Sequence, residues 1–144
     1  MSKNRVTFLL TTALAVATVG LAPAVAHAEA APASGVTAAA ADGNLYAWEH
    51  AYEGGRVVSW SGDSSDWADR DMRNKASSVF NNGYAGAYDD VLLYWDVNHG
   101  GASFRLCNGS RLRYMPYDFF NHNGAGGGET LNDNVASHRW TNAC

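Results

Sequence analysis

Basic residues are scarce in this chain, and acidic residues outnumber them. It contains ten lysines and arginines against fourteen aspartates and glutamates, a net charge of −4. Two of the basic residues, Lys3 and Arg5, stand at the extreme N-terminus, so the remainder of the chain is more acidic still. Because nucleic-acid binding depends on neutralising phosphates with basic side chains, we expect no nucleic-acid partner.

The residue patterns of common catalytic and zinc sites are also absent. The five histidines include no His-Glu-x-x-His pair, and no serine stands in a Gly-x-Ser-x-Gly elbow. Zinc needs three or four convergent nitrogen or sulfur ligands, and the chain has only two cysteines. The glycine-rich run at residues 124–128 lacks the Lys-Ser/Thr ending of a phosphate loop. We therefore expect neither enzymatic activity nor a zinc site.

A long hydrophobic run occurs only at the start of the chain. Lys3 and Arg5 precede an apolar stretch over residues 6–21, and Ala26-His27-Ala28 is a small-x-small cleavage signal. This arrangement is typical of a secretory signal peptide over residues 1–28. The run is short for a membrane span and no stop-transfer segment follows it, so we expect an extracellular protein that does not bind membranes.

The segment after the cleavage signal divides into a leader and one domain. Residues 29–42 are rich in alanine and contain no large apolar side chain, so we expect a disordered leader. The roughly 100 residues from 43 to 144 suffice for one small domain and not for two, and we expect it to be monomeric. In an exported chain, the pair Cys107 and Cys144 is expected to form one disulfide.

Short strand-like runs separated by glycine- and asparagine-rich turns fill residues 43–144. Strands are predicted at about 45–49, 56–60, 77–81, 91–96, 102–107, 111–115 and 135–141. The best helical candidate, residues 65–73, would form one or two turns. The pattern predicts an all-β fold, an antiparallel sandwich.

One pattern occurs twice along the domain. Residues 44–58 predict a hairpin closed by Gly54 and Gly55, and residues 91–104 repeat it. Each copy ends in a similar tail, with residues 74–82 aligned on residues 134–142. Repeat 1 therefore covers about 43–83 and repeat 2 about 89–144, and the second contains additional residues before its tail.

A hairpin of this kind followed by a distal serine tail, present in tandem, resembles the βγ-crystallin Greek-key motif. The signal peptide, the Glu-His-Ala-Tyr-Glu-Gly-Gly-Arg hairpin and the Asn-Lys-Ala-Ser-Ser tail are most similar to secreted proteins grouped with the Streptomyces-type metalloproteinase inhibitors. The resemblance implies two Greek keys and inhibition of a secreted peptidase, in particular a metalloendopeptidase. It leaves open a calcium-binding structural or stress protein and a killer-toxin-like protein.

The resemblance also implies a set of calcium ligands. The calcium motif of the superfamily is two Asx residues, two residues of any type, Ser or Thr, and Ser, which offers the oxygen atoms that calcium prefers. Asp133, Asn134 and Ser137 fit this motif, and Asn74 and Ser77 fit it more weakly because Arg73 precedes them. The alternative is that the serines only hydrogen-bond the folded hairpin.

The additional residues of repeat 2, at about 115–131, form the expected protease contact. Surface loops on a rigid scaffold often perform recognition, and aromatic side chains anchor interfaces. We expect Tyr117, Phe119 and Phe120 to be exposed there and, with Asn121, to contact a protease. The hairpin at residues 50–54 is the alternative contact.

Overall fold

The predicted strands are present, with small shifts at their ends. The structure, a computed structural model, describes residues 40–144, so the predicted signal peptide and the leader up to residue 39 lie outside the described residues. The strands are β1 (Asn44–His50), β2 (Gly54–Trp60), β3 (Ser78–Asn82), β4 (Asp90–Tyr94), β5 (Ser103–Leu106), β6 (Arg111–Leu112) and β7 (Ser137–Thr141). Short 3₁₀ turns cover Ala51–Glu53, Trp67–Arg70, Val97–His99 and Met115–Tyr117.

Two antiparallel sheets contain these strands, and each sheet includes residues of both repeats. One sheet has the order β2-β1-β3-β6, and the other has the order β5-β4-β7. Strand β6 belongs to the second repeat but pairs with β3 of the first. In return, Ser64 of the first repeat forms a bridge with His138 of the second. The all-β antiparallel prediction is confirmed, and the exchange makes the two repeats depend on each other.

The strand predicted at residues 111–115 is shorter than expected, whereas the candidate helix at residues 65–73 forms one of the one or two turns expected. Pro116 lacks a backbone N–H, so the chain leaves the sheet after Leu112 and enters the Met115–Tyr117 turn. The other segment forms a single 3₁₀ turn, Trp67–Arg70, which Asp66 caps by accepting a hydrogen bond from the Ala68 amide at 2.8 Å. Among residues 40–144, no helical turn is long and apolar enough to cross a membrane.

The core lies between the two sheets and includes residues from the connecting segments. Alternation along β1 and β4 points Leu45, Ala47, Val91 and Leu93 inward. Side chains from outside the strands complete the core: Trp67, Met72, Ala76, Met115, Phe120, Leu131 and Val135. Because the strands are short, these connecting segments supply much of the buried apolar surface.

The structure aligns the tail of the first repeat with the tail of the second one residue away from the predicted alignment. Asn74 and Asp133 both adopt left-handed backbone conformations, with φ of 55° and 57°. Ser78 and Ser137 both bond a hairpin of their own repeat, as described below. Residues 75–82 therefore align on 134–141, and the predicted alignment of 74–82 on 134–142 was wrong. Sequence identity favoured the wrong alignment because Ser77 and Ser78 are adjacent and indistinguishable without the hairpin.

The disulfide prediction is confirmed, since Cys107 and Cys144 are joined. The bond ties the segment after β5 to the C-terminus, where the Cys144 amide also donates to Asp90 Oδ2 at 2.6 Å.

Breaking this bond should destabilise the domain without unfolding it at room temperature. We expect Cys107→Ser combined with Cys144→Ser to lower the free energy of unfolding by about 2–4 kcal/mol, because the unfolded chain regains the entropy of an open loop. Urea unfolding of the double variant measures this loss. Wild-type protein under reducing conditions is the matched control, and a double variant as stable as the oxidised protein would contradict the expectation.

Candidate functional site

Each repeat begins with the same folded hairpin. Its turn contains two consecutive left-handed residues, Tyr52 and Glu53 in the first repeat and Asn98 and His99 in the second. Gly55 follows with φ of +74°, a conformation that side chains rarely adopt. The turn places Tyr52 at the tip of the first hairpin, where 71% of its surface is exposed.

A buried serine holds each hairpin in this shape. The Ser78 hydroxyl donates to the carbonyl of His50 at 2.8 Å and accepts from the amide of Glu53 at 3.1 Å. Ser137 makes the same two bonds to the second hairpin, at 2.6 and 3.1 Å. Both serines are fully buried, so each bond is shielded from water. We refer to Ser78 and Ser137 as the latch serines.

The latch changes how the predicted calcium ligands are placed. Ser137 is bound to the second hairpin, and the Asn134 side chain donates to the carbonyl of Thr130 at 2.9 Å. Asp133 instead lies beside Ser77 of the other repeat, with the hydroxyl 3.3 Å from its carboxylate. Two oxygen donors suited to calcium therefore meet across the two tails.

The corresponding place on the other side suits calcium less well. There Ala136 occupies the position of Ser77, since each donates its amide to the strand of its own repeat. Ala136 lines a cleft of about 270 Å³ together with Asn74 and the guanidinium-bearing Arg73. Asp96 also lines this cleft, but the hydroxyl is missing and the Arg73 guanidinium repels a bound cation. This place therefore suits calcium less well than the meeting of Ser77 with Asp133 does.

The inserted loop of the second repeat is folded onto its own repeat. Phe120 is only 1% exposed, and its backbone pairs with both Gly128 and Glu129 at 2.9 Å. Gly126 lies so close to the Trp95 ring that a Cβ there would come within 2.2 Å of it. The Trp95 indole also donates to Glu129 at 3.0 Å. The expectation that Phe120 is exposed was wrong, because its ring fills the core.

Three exposed tyrosines meet at one place on the surface. Buried Met115 starts the 3₁₀ turn after β6, and this turn leaves Tyr114 and Tyr117 in solvent, the latter 77% exposed. The Tyr114 ring stacks on Tyr52 with centroids 5.8 Å apart and meets Tyr117 edge-on at 5.6 Å. We name Tyr52, Tyr114 and Tyr117 the tyrosine cluster. It joins the tip of the first hairpin to the inserted segment of the second repeat.

Backbone and charge contacts fix the tyrosine cluster in position. The amide of Tyr52 donates to the carbonyl of Arg113 at 2.6 Å. Beside it, Glu53 forms ion pairs with Arg111 at 2.6 Å and Arg113 at 3.3 Å. Partial burial raises the pKa of Glu53, but the two arginines outweigh it and hold that pKa below its ordinary value. The carboxylate is therefore ionised and paired where the two segments join.

Sequence reasoning identified part of this cluster. Tyr117 is exposed as expected, and so are Phe119, at 50%, and Asn121. Tyr52 and Tyr114 were not identified as contact residues. The available signal for Tyr52 was its place inside a hairpin turn, where a large side chain has no sheet to pack on. Its meeting with Tyr114 depends on the pairing of β6 with β3, which links distant segments.

Comparisons with known proteins agree with this architecture. A family model described as peptidase inhibitor family I36 matches residues 33–106, which include the first hairpin. No curated protein matches the chain.

Several solved structures are similar to it. A βγ-crystallin from Ciona intestinalis is 15% identical with a TM-score of 0.51, and the match covers 69% of this chain and 100% of that one. A structure concerning evolution of the eye lens βγ-crystallin domain fold is 21% identical with a TM-score of 0.53, covering 73% and 91%. An archaeal βγ-crystallin is 18% identical with a TM-score of 0.50, covering 67% and 95%. At these identities the likeness shows the fold alone, a pair of βγ-crystallin Greek keys.

Proposed function

Because the chain belongs to peptidase inhibitor family I36, we propose that it is secreted and that its target is an extracellular metalloendopeptidase. Family membership makes the chain a peptidase inhibitor on a βγ-crystallin fold and not an enzyme. The proposal of secretion is supported by the signal sequence at residues 1–28. The metalloendopeptidase class is supported by the resemblance of the first hairpin and its tail to the Streptomyces-type inhibitors.

The main support for the position of the peptidase contact is the stacking of Tyr52 on Tyr114 across the two repeats. Tyrosines supply large contact areas with few rotatable bonds, and interfaces use them as central anchors. The cluster is contiguous, exposed and mounted on two segments that are hydrogen-bonded to each other. We therefore place the peptidase contact at the tyrosine cluster.

The hairpin also has a feature that would resist cleavage. Tyr52 and Glu53 have left-handed backbones, and their amides are bonded to Arg113 and to Ser78. A peptide that adds to a binding cleft in extended form needs those amides free and its φ negative. Since the latch serine holds the hairpin tip in another shape, a peptidase can bind the tyrosines, but the tip does not take the extended form that cleavage needs. The fixed shape also reduces the ordering cost of binding.

Alanine substitutions in the cluster test this proposal. Tyr52→Ala, Tyr114→Ala and Tyr117→Ala should each weaken inhibition of a thermolysin-like metallopeptidase by roughly 30-fold, as expected for an anchor worth about 2 kcal/mol. Inhibition constants measured with a soluble peptide substrate give the effect. Tyr88→Ala is the matched control, because Tyr88 lies outside the cluster and is exposed about as much as Tyr52.

Three results would separate the parts of the proposal. A variant that lacks residues 121–128 and still folds should inhibit, since the deletion removes no cluster residue. If that variant no longer inhibits, the peptidase contact lies in the inserted loop. Cluster variants that inhibit as well as wild type would remove the cluster from the interface. Wild-type protein that inhibits serine peptidases and not metallopeptidases would overturn the target class.

A second candidate function, calcium binding, is supported by the meeting of Ser77 with Asp133. If calcium binds there, it should raise the melting temperature, because a ligand of the folded state alone stabilises it. Ser77→Ala should then abolish the rise.

The same experiment distinguishes this site from the latch. Ser137→Ala should lower the melting temperature equally with and without calcium, because it leaves buried hairpin groups unpaired at a cost of about 1–3 kcal/mol. Differential scanning calorimetry at millimolar calcium measures both effects. A calcium effect that survives Ser77→Ala would contradict the proposed ligand pair.

A further inference from the structure

A second group of aromatic side chains lies beside the segment that links the two repeats. Residues 83–89, which we name the linker, carry Tyr84 and Tyr88, and both side chains are largely exposed. With Trp140 of β7 and Asp63, they line an open cleft of about 340 Å³. This volume lies within the range of clefts that hold small molecules.

Two glycines let aromatic rings lie directly against the backbone at this cleft. A Cβ at Gly43 would stand 2.7 Å from the Tyr84 ring, and a Cβ at Gly83 would stand 2.7 Å from the Trp140 ring. Gly43 also has φ of +82°, which side chains rarely adopt. The two rings are therefore supported from behind by main chain, which restricts their rotation.

Hydrogen bonds tie the linker down on both sides of its tyrosines. The side chain of Asn108 donates to the carbonyl of Gly83 at 2.9 Å. The amide of Tyr88 donates to the side chain of Asn142. Within the linker, Gly86 donates to the Asp89 carboxylate at 2.8 Å. A ligand that enters the cleft thus meets a linker backbone that is already ordered, and binding costs less conformational entropy.

The charge at the cleft is negative. Asp63 supplies a carboxylate, and none of the residues that line the cleft is a lysine or an arginine. One oxygen of Asp63 accepts from the Trp140 amide at 2.8 Å, which holds the carboxylate beside the rings. The faces of aromatic rings have a negative electrostatic potential, so the rings and the carboxylate both favour a cation.

We propose that this cleft binds the ammonium group of a small organic cation. Ammonium groups bind over aromatic faces by electrostatic attraction, and a nearby carboxylate strengthens it. A neutral ligand of the same shape would gain the apolar contact but not the attraction. The proposal uses none of the tyrosine-cluster residues and is independent of peptidase inhibition.

Titration of the secreted-form protein, residues 29–144, with matched probes tests the proposal. Choline and Nα-acetyl-lysine methylamide carry the cation, and 3,3-dimethylbutan-1-ol is the uncharged analogue of choline. Chemical shifts of the Trp140 indole N–H and the linker amides report binding at constant ionic strength. We expect saturable shifts with a cationic probe and about tenfold weaker binding of the alcohol. Tighter binding of choline identifies a free quaternary amine as ligand, and tighter binding of the lysine derivative identifies a lysine side chain.

Three variants check that the response arises at this cleft. Asp63→Asn keeps an oxygen for the Trp140 amide but removes the charge, and it should weaken cation binding several-fold. Tyr84→Leu and Tyr88→Leu keep apolar contact but remove the aromatic face, and Tyr117→Leu is the control outside the cleft. Equal binding of choline and its uncharged analogue would overturn the proposal. So would the lack of a saturable shift with either cation at about 50 mM, or full binding by a folded Asp63→Asn variant.

Discussion

Acidification from pH 7 to pH 4 is expected to lower the free energy of unfolding by about 3 kcal/mol through His138 alone. The Trp67 indole donates to Nδ1 of this buried imidazole at 2.7 Å, so Nε2 carries the ring proton and donates to the Gly62 carbonyl at 2.8 Å. Burial, the largest effect, lowers the pKa of His138 from 6.5 to about 4.

The direction of the effect follows from these two pKa values. In the unfolded chain His138 takes up a proton as the pH falls below about 6.5, whereas in the folded chain it remains neutral until about pH 4. The unfolded state therefore binds more protons in this window, and stability is lost as the pH falls through it. Protonation of Nδ1 also removes the only acceptor of the Trp67 bond, so the stacked Trp60–Trp67 pair should loosen.

His138→Gln isolates this contribution. Glutamine does not titrate, so its stability should fall less between pH 7 and pH 4 than that of the wild type. Urea unfolding followed by tryptophan fluorescence at several pH values gives both curves. Acid effects of other groups, such as Glu53 with its lowered pKa, contribute to both proteins and cancel in the difference. Parallel curves for the two proteins would show that His138 is not responsible.

Phe120→Ala should be among the most destabilising single substitutions in the domain, at about 3–5 kcal/mol. The ring is 1% exposed and belongs to the core formed with Met115 and Leu131, so its removal leaves a cavity. Its neighbour Phe119 is 50% exposed, and Phe119→Ala should cost much less. The free energies of unfolding of the two variants in urea make a matched comparison of adjacent phenylalanines.

The two phenylalanines also differ in what they imply for inhibition. A Phe120→Ala variant that remains folded should keep its inhibition constant, because the ring does not reach the surface. A larger stability loss for Phe119→Ala than for Phe120→Ala would contradict the assignment of Phe120 to the core. A folded Phe120→Ala variant that no longer inhibits would indicate that the inserted loop shapes the contact surface.

Local patterns in the sequence, with the resemblance based on them, predicted the fold class. The strand-forming residues Leu45, Tyr46 and Trp48 predicted a strand, and the glycines after it predicted the hairpin turn. The short strands and the repetition of this pattern predicted an antiparallel sandwich, and the resemblance to the βγ-crystallin motif implied two Greek keys. An even pair of cysteines in a chain with an export signal predicted the disulfide. These features depend on residues close together in sequence or on composition, so they are readable without coordinates.

Tertiary structure alone decided which residues reach the surface together. The sequence could not distinguish Phe119 from Phe120, because both are aromatic and only the packing of the inserted loop on the core separates them. Nor could it choose between Ser77 and Ser78 as the latch, since the choice depends on which hydroxyl reaches the hairpin. The tyrosine cluster arises from the pairing of β6 with β3, a contact between distant segments. Such contacts form when short strands of two repeats complete each other's sheets, and no local periodicity records them.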